Sequence, residues 1–314
     1  MRVFVAGATG AVGRRLVPLL LRAGHAVVGM TRSGAKTDAL RALGAEPVVA
    51  DALNRAAVVR AVAAAAPEIV VNELTALAGF ADLRHFDRGF AATNRLRSEG
   101  TDNLIAAARA AGARRLVAQS FAGWPYARQG GSVKSEDDPL DPDPAPQFRG
   151  TLAAIRHLEH AVLAGNGVAG TVLRYGWFYG PGTSIAKDGQ FVEALRRRRF
   201  PIIGAGTGVW SFLHIDDAAS ATLAAIEQTA SGLFNITDDE PAPVREWLPF
   251  LVRAIGAAPP RHLPGWLGRL LIGRHGMALM NETRGAANAK AKSALGWQPR
   301  YATWREGFRT GLAD

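Results

Sequence analysis

The sequence predicts an α/β fold of the Rossmann type, a doubly wound parallel sheet with a smaller C-terminal substrate lobe. Three observations carry that expectation. Short β-rich runs alternate with Ala-rich helical stretches through the first half of the chain, a glycine-rich turn follows the first run, and the alternation loosens after Tyr175. Strands separated by helices of this length require right-handed crossovers, and therefore a parallel sheet covered on both faces.

Taken in order, the strands are expected at residues 3–6, 26–30, 46–50, 68–72, 114–119 and 167–174, where Val, Ile, Leu, Phe or Ala dominate. The helices are expected between them at 11–23, 35–43, 54–65, 94–111 and 151–164, each rich in Ala, Leu or Val. Two irregular stretches, 73–93 and 121–150, follow the carboxyl ends of strands, where open parallel sheets bind ligands. The second holds Lys134-Ser-Glu-Asp-Asp-Pro-Leu-Asp-Pro-Asp-Pro-Ala-Pro146, acidic and proline-rich, and is expected to be extended. A division into a cofactor domain at 1–176 and a lobe at 177–314 follows, with the chain re-entering the first domain around 205–230.

Composition narrows the chemistry. The chain of 314 residues has no Cys, which excludes disulfides, thiolate nucleophiles and thiolate metal sites. The 37 Lys and Arg against 27 Asp and Glu leave a formal charge of +10. The one dense run, Arg196 to Arg199, closes an expected helix, where positive charge offsets the negative end of the dipole. It is read as a solvated helix end and not a nucleic-acid patch. No apolar stretch approaches the ~20 residues of a membrane span, and the expected location is the cytoplasm.

Gly7-Ala-Thr-Gly-Ala-Val-Gly13 lies between the first strand and the first helix. Each glycine has its own purpose: a tight turn at Gly7, close approach of backbone to a pyrophosphate near Gly10, and helix-to-strand contact at Gly13. Thr9, Ala11 and Val12 complete the loop, and the helix N-terminus offers free N–H groups to phosphates. The second strand runs into Thr31-Arg32-Ser33, with no acid before Asp38. An NAD site places a carboxylate there for the ribose 2′-hydroxyl, whereas Arg32 and Ser33 suit a 2′-phosphate, so NADP is the expected cofactor and NAD the lesser alternative. Asp51 and Ala52 stand where the adenine edge would come, although Asp51 also suits a helix N-cap. Asn72 and Leu74, at the end of the fourth strand, border the same cleft.

Together these residues resemble the short-chain dehydrogenase/reductase superfamily, in its extended, epimerase/dehydratase-like branch. Beyond the glycine loop, Val172-Leu-Arg-Tyr-Gly-Trp-Phe-Tyr-Gly-Pro-Gly182 is similar to that branch's segment beside the nicotinamide, which implies cofactor contacts from Tyr175, Trp177 and Phe178. Phe212-Leu-His-Ile-Asp-Asp217, Phe234-Asn-Ile-Thr-Asp-Asp-Glu-Pro241 and Lys290-Ala-Lys-Ser-Ala-Leu-Gly-Trp-Gln-Pro299 resemble its later segments. The resemblance also implies a Ser or Thr after the fifth strand and a Tyr-x-x-x-Lys on the next helix. There a lysine beside the phenol lowers a pKa that is ordinarily ~10 and holds the nicotinamide ribose. Family members often pair through helices, which implies a homodimer.

The chain departs from the family at that point. No Tyr is followed by Lys four residues later. Aligning the helix puts Gln147 at the Tyr position and Thr151 at the Lys position, and the upstream hydroxyl position falls on Ser120 or Phe121. Three readings compete. Hydride chemistry survives with Tyr126 as a relocated acid, assisted by Ser120, with His85 and Asp87 in reserve. Alternatively, the fold binds NADP and runs an isomerisation, cyclisation or elimination, or it is a silent NADP sensor. Phe121, Gln147, Tyr179 and Trp210 are expected to line a pocket for a flat apolar ligand. The reading adopted is an NADP(H)-dependent oxidoreductase of a small, aromatic or polycyclic, carbonyl- or enone-bearing metabolite, with no metal.

Overall fold

The computed structural model describes residues 1–77, 86–165 and 167–313. The first half runs β1 (Arg2–Ala6), α1 (Gly13–Arg22), β2 (Ala26–Thr31), α2 (Thr37–Ala42), β3 (Glu46–Val49), α3 (Arg55–Ala65), β4 (Ile69–Asn72), α4 (Phe86–Arg95), α5 (Thr101–Ala110) and β5 (Arg115–Phe121). It continues with β6 (Val133–Lys134), α6 (Arg149–Leu163), β7 (Ala169–Tyr175), β8 (Trp177–Tyr179), α7 (Gln190–Arg196), β9 (Ile202–Ile203), β10 (Val209–Trp210), β11 (Phe212–His214) and α8 (Ile215–Glu227). The last elements are β12 (Gly232–Ile236), β13 (Ala242–Pro243), α9 (Val244–Ala254), β14 (His262–Leu263), α10 (Gly265–Asn281), β15 (Gly285–Ala286), α11 (Ala289–Leu295) and α12 (Trp304–Thr310).

Seven strands form one parallel sheet in the order β12-β7-β5-β4-β1-β2-β3. The chain winds outward through β2 and β3 on one side of β1 and through β4, β5, β7 and β12 on the other. The crevice over the carboxyl ends of β1 and β4 is therefore the switch point at which such sheets bind ligands. Leu16, Val17 and Leu20 of α1 and Ala218, Ala221 and Ala225 of α8 cover one face, while Val58 and Val62 of α3, Leu104 of α5 and Leu158 of α6 cover the other. The central strands β1, β4, β5 and β7 are largely buried on both faces and read as nearly continuous apolar runs, whereas the edge strand β3 is not buried.

The chain returns to the sheet through α8 and β12, and again through α11, whose Ala291 and Leu295 join the first face. The remaining elements build a lobe around Phe212, Trp247, Trp304 and Phe308, all within 1% of full burial. No helix among the described residues is long and apolar enough to cross a membrane.

Two expectations on boundaries are corrected. The helix expected at 94–111 begins upstream at Phe86 and is interrupted by a π-helical turn, Leu96–Gly100, before α5. A π turn keeps the same apolar spacing on either side of one inserted step, so periodicity alone does not reveal it. The helix expected to start at 151 starts at Arg149, after a separate 3₁₀ turn at Pro146–Phe148.

Candidate active site

The glycine loop has the geometry its spacing requires. Gly7 has φ +90°, and a Cβ there would stand 2.5 Å from the Glu73 carbonyl oxygen. A Cβ at Gly13 would collide with the Gly7 carbonyl and the Ala8 backbone, so α1 can approach β1 this closely only with glycine. The Gly10 amide closes the turn on the Gly7 carbonyl at 2.9 Å. Val12 gives α1 no side-chain cap, the first turn holds no acid, and the amides of Ala11, Val12 and Gly13 have no hydrogen bond among the described residues. Arg14 and Arg15 stand at the positive end of the dipole, an arrangement that favours an anion nearby. Arg15 is held elsewhere, donating to Asp216 Oδ1 at 2.6 Å and to the Pro181 carbonyl at 2.7 Å. Bare amides and a cradle closed to Cβ atoms fit a dinucleotide pyrophosphate.

On the adenine side, Arg32 is exposed just past β2, and the Ser33 amide donates to Thr31 Oγ1 at 3.2 Å. Asp38, the first acid downstream, is paired with Arg41 at 2.6 Å. Asp51 is exposed and accepts the Leu53 amide at 3.0 Å, beside buried Ala52. The cap of α3 is Asn54, which accepts the Ala57 amide, so the capping alternative for Asp51 does not hold. Asn72 is buried, donating to Thr101 and accepting the amide of half-buried Leu74, and so shapes the strand end.

Beneath the loop lies a group that sequence reasoning missed. Glu73 is 4% exposed, and burial pushes its carboxyl up to about 8. Thr222 Oγ1 donates to the Ala218 carbonyl at 2.7 Å and lies 2.6 Å from the Tyr175 hydroxyl, which lies 2.9 Å from Glu73 Oε1. Tyr175 has one proton. The hydroxyl donates to Glu73 Oε1, which ties the carboxyl to Tyr175 in the interior. Tyr175 is thereby corrected from a cofactor-facing side chain to a buried one, 1% exposed. The only signal for Glu73 was an acid at the carboxyl end of the strand, next to Asn72 and just past the wholly apolar Ile69–Val71.

The positions of the proton relay are rearranged. Gln147 lies in the 3₁₀ turn before α6, so it cannot share a helical face with Thr151; its Oε1 is buried with no hydrogen-bond partner among the described residues. The face of α6 that meets the sheet carries Thr151, Ile155 and Glu159, four residues apart and all buried. Glu159 accepts from Ser120 Oγ at 2.7 Å and binds the Arg174 guanidinium through both oxygens at 2.7 and 2.6 Å. Asp87 accepts from the Gly150 amide, the Thr151 amide and the Thr151 hydroxyl at 2.8, 2.8 and 2.6 Å, which caps α6 from a distant element.

Several expected donors are therefore already committed. Ser120 is bonded to Glu159 and Asp87 to α6. Tyr126 is 1% exposed, donates to Asn235 Oδ1 at 2.6 Å and accepts from Arg174 at 3.0 Å, and burial raises its pKa. It faces the edge strand β12 instead of swinging over the cleft, because a phenol bonded on both sides gains nothing by leaving. Tyr179 is not a pocket wall: it is fully buried in the lobe's core against Gly307 and edge-on to Phe308, with its pKa raised by burial. His85 lies outside the described residues.

The aromatics form a band. Phe121 meets Trp177 edge-on at 5.0 Å, Trp177 stacks on Trp210 at 4.2 Å, and Trp124 stacks on Phe148 at 4.5 Å. Trp210 is itself buried and donates to the Leu279 carbonyl, so it backs Trp177 without lining the cleft. Phe178 is half-buried against Tyr175. Beside the band opens a cleft lined by Trp124, Arg128, Ala145, Phe148 and Leu279. Among the described residues no cluster of three or more His, Asp or Glu could hold a metal ion. The arrangement can hold a dinucleotide, and it presents no ionisable side chain at Gln147 or Thr151, the two expected relay positions.

Known proteins match this geometry. The NAD dependent epimerase/dehydratase family matches residues 3–237. The chain is 50% identical over 310 residues to the 3-diazoavenalumate denitrifying reductase of a Streptomyces species, covering 98% of this chain and 99% of that protein. It is 30% identical to the 2-alkyl-3-oxoalkanoate reductase of Stenotrophomonas maltophilia, covering 82% and 76%. The fold superposes on the UDP-glucose 4-epimerase of Thermotoga maritima with a TM-score of 0.76, 22% identity and coverage of 99% and 97%. The chain belongs to the NAD dependent epimerase/dehydratase family, in the extended short-chain dehydrogenase/reductase branch, and is an oxidoreductase built around a nicotinamide cofactor.

Proposed function

We propose that the protein is an NADPH-dependent reductase that replaces a diazo group on an aromatic metabolite with hydrogen and releases dinitrogen. The observation that carries the reading is that no relay pair is at hand: Gln147 and Thr151 stand at the expected positions, Ile155 follows Thr151 one turn on along the buried face of α6, and Ser120, Asp87 and Tyr126 are all bonded away from the cleft. Bound reduced nicotinamide supplies a hydride, and at an aryl diazonium carbon the hydride pair makes the C–H bond while the C–N pair leaves with dinitrogen, so no proton donor is required. A ketone, by contrast, needs a proton on oxygen as hydride arrives. A site without a donor suits the first reaction, and the 50% identical relative named a 3-diazoavenalumate denitrifying reductase supports it.

This chain's residues then bind, orient and exclude water. The Gly7–Gly13 loop and the N-terminus of α1 hold the pyrophosphate, and Arg32 takes the 2′-phosphate that distinguishes NADPH. Phe121, Trp177 and Trp124 offer flat faces to an aromatic ring, and the electron-rich indole faces favour a cationic one. The carbonyl or enone substrate expected from sequence is the second reading, favoured by the 2-alkyl-3-oxoalkanoate reductase among the relatives.

The test is direct. Purified protein mixed with NADPH and an ortho-hydroxybenzenediazonium salt should lose the reduced-cofactor absorbance and evolve dinitrogen in equal amounts, above the rate without protein. Turnover of a panel of 3-oxo compounds, with no protein-dependent dinitrogen, would overturn the diazo reading and leave the ketone one.

A further inference from the structure

Arg97 sits in the π-helical turn Leu96–Gly100, between α4 and α5. It is 9% exposed, and its Nη1 has no hydrogen-bond partner among the described residues. A buried guanidinium has five donors to satisfy and loses its hydration, so one without partners is costly unless a ligand meets it. Burial lowers its pKa to about 10, which leaves it charged at neutral pH. The carboxylate whose field it feels, Glu159, is already bound through both oxygens to Arg174. Two buried cations thus share one acid. π turns are also over-represented where a helix has been adapted to a site.

Its place is fixed by two rungs between parallel helices. Asn94 donates to Thr151 Oγ1 at 3.1 Å, and Asp102 Oδ1 lies 2.8 Å from His157 Nε2. Arg97 lies between them in sequence, which sets the π turn against the stretch of α6 between Thr151 and His157 that carries Ile155. The end of the π turn is tied to the mouth of the crevice, since Thr101 Oγ1 accepts from Asn72 at the end of β4.

We infer that Arg97 is a cofactor-binding residue, which brings its guanidinium from the π turn to the nicotinamide ribose in place of the cation that Ile155 cannot offer. A planar fork of donors suits two neighbouring ribose hydroxyl oxygens, and a fixed cation there orients the nicotinamide half without providing a proton. The inference rests on the reading that the chain holds a nicotinamide dinucleotide.

The test is equilibrium binding, by calorimetry, of NADPH and of adenosine 2′,5′-bisphosphate, which lacks the nicotinamide half. Arg97→Met should weaken NADPH about 10–100-fold, the loss expected for hydrogen bonds to a charged group, while adenosine 2′,5′-bisphosphate stays within about twofold. Arg97→Lys should bind NADPH more tightly than Arg97→Met, and Ile155→Lys added to Arg97→Met should recover part of the loss. Unchanged NADPH affinity in a folded Arg97→Met, or equal weakening of both ligands, would overturn the inference. Should Arg97→Met not fold, the comparison moves to Arg97→Lys with and without Ile155→Lys; equal losses of both ligands there would overturn it too. Wild-type protein that binds neither NADPH nor NADH would instead sink the cofactor reading itself.

Discussion

Glu73→Gln replaces a buried carboxyl with an amide of the same shape, whose oxygen can accept from the Tyr175 hydroxyl as the acid's does. The folded-state pKa is raised from 4.5 to about 8 by burial. A group raised in this way contributes its full stability below its unfolded pKa and loses that contribution as pH rises through its folded one. Between pH 4.5 and 7 the wild type should therefore lose about 3 kcal/mol that the glutamine variant keeps, and about 5 kcal/mol once pH passes 8, at ~1.36 kcal/mol per unit. The assay is urea unfolding of both proteins from pH 4.5 to 9, taking the difference at each pH so that all other titrating groups cancel. Near pH 4.5 the two should be nearly equal, and the gap should widen steadily in favour of Glu73→Gln. A difference independent of pH, or a wild type more stable at pH 8, would show that Glu73 is ionised in the folded protein and that burial does not raise its pKa.

Two further outcomes follow from the site. Arg32→Ala should weaken NADPH about 10–100-fold and NADH less than threefold in direct titrations, since a charge-assisted contact with a phosphate is worth about 1.5–3 kcal/mol; equal losses would contradict the 2′-phosphate assignment. Tyr126→Phe should keep turnover within a few-fold while lowering stability by about 1–3 kcal/mol, because it strips one bond each from Asn235 and Arg174 inside the protein. Loss of turnover with stability intact would restore Tyr126 as the acid.

What the sequence made legible was local. Each strand of the first half appeared within a residue or two of its expected place, the central ones because a buried parallel strand is a nearly continuous apolar run. The loop from Gly7 to Gly13 was legible because the strand before and helix after it are adjacent in sequence. What escaped depended on partners far along the chain. Asp87 looked like a free loop acid, and it caps a helix 63 residues away. Tyr126 looked able to swing, and it is tied to Asn235, 109 residues on. The start of α6 was misplaced because nothing local in Pro146–Phe148 separates a 3₁₀ turn from the first turn of an α-helix, whereas Glu159, held by Ser120 and Arg174, shows which face meets the sheet. Glu73 and Arg97 were passed over because a charged residue is ordinarily solvated, and only packing shows that these two are not.

The most direct test of the account is the fate of hydrogen. With NADPH deuterated at the transferable C4 position and an ortho-hydroxybenzenediazonium substrate, mass spectrometry should find one deuterium on the ring carbon that carried nitrogen, with dinitrogen released. In the converse run, unlabelled NADPH in heavy water should leave that carbon unlabelled. Deuterium arriving there from solvent would contradict the account, because it would place a proton donor at a site where Thr151 and Ile155 provide none.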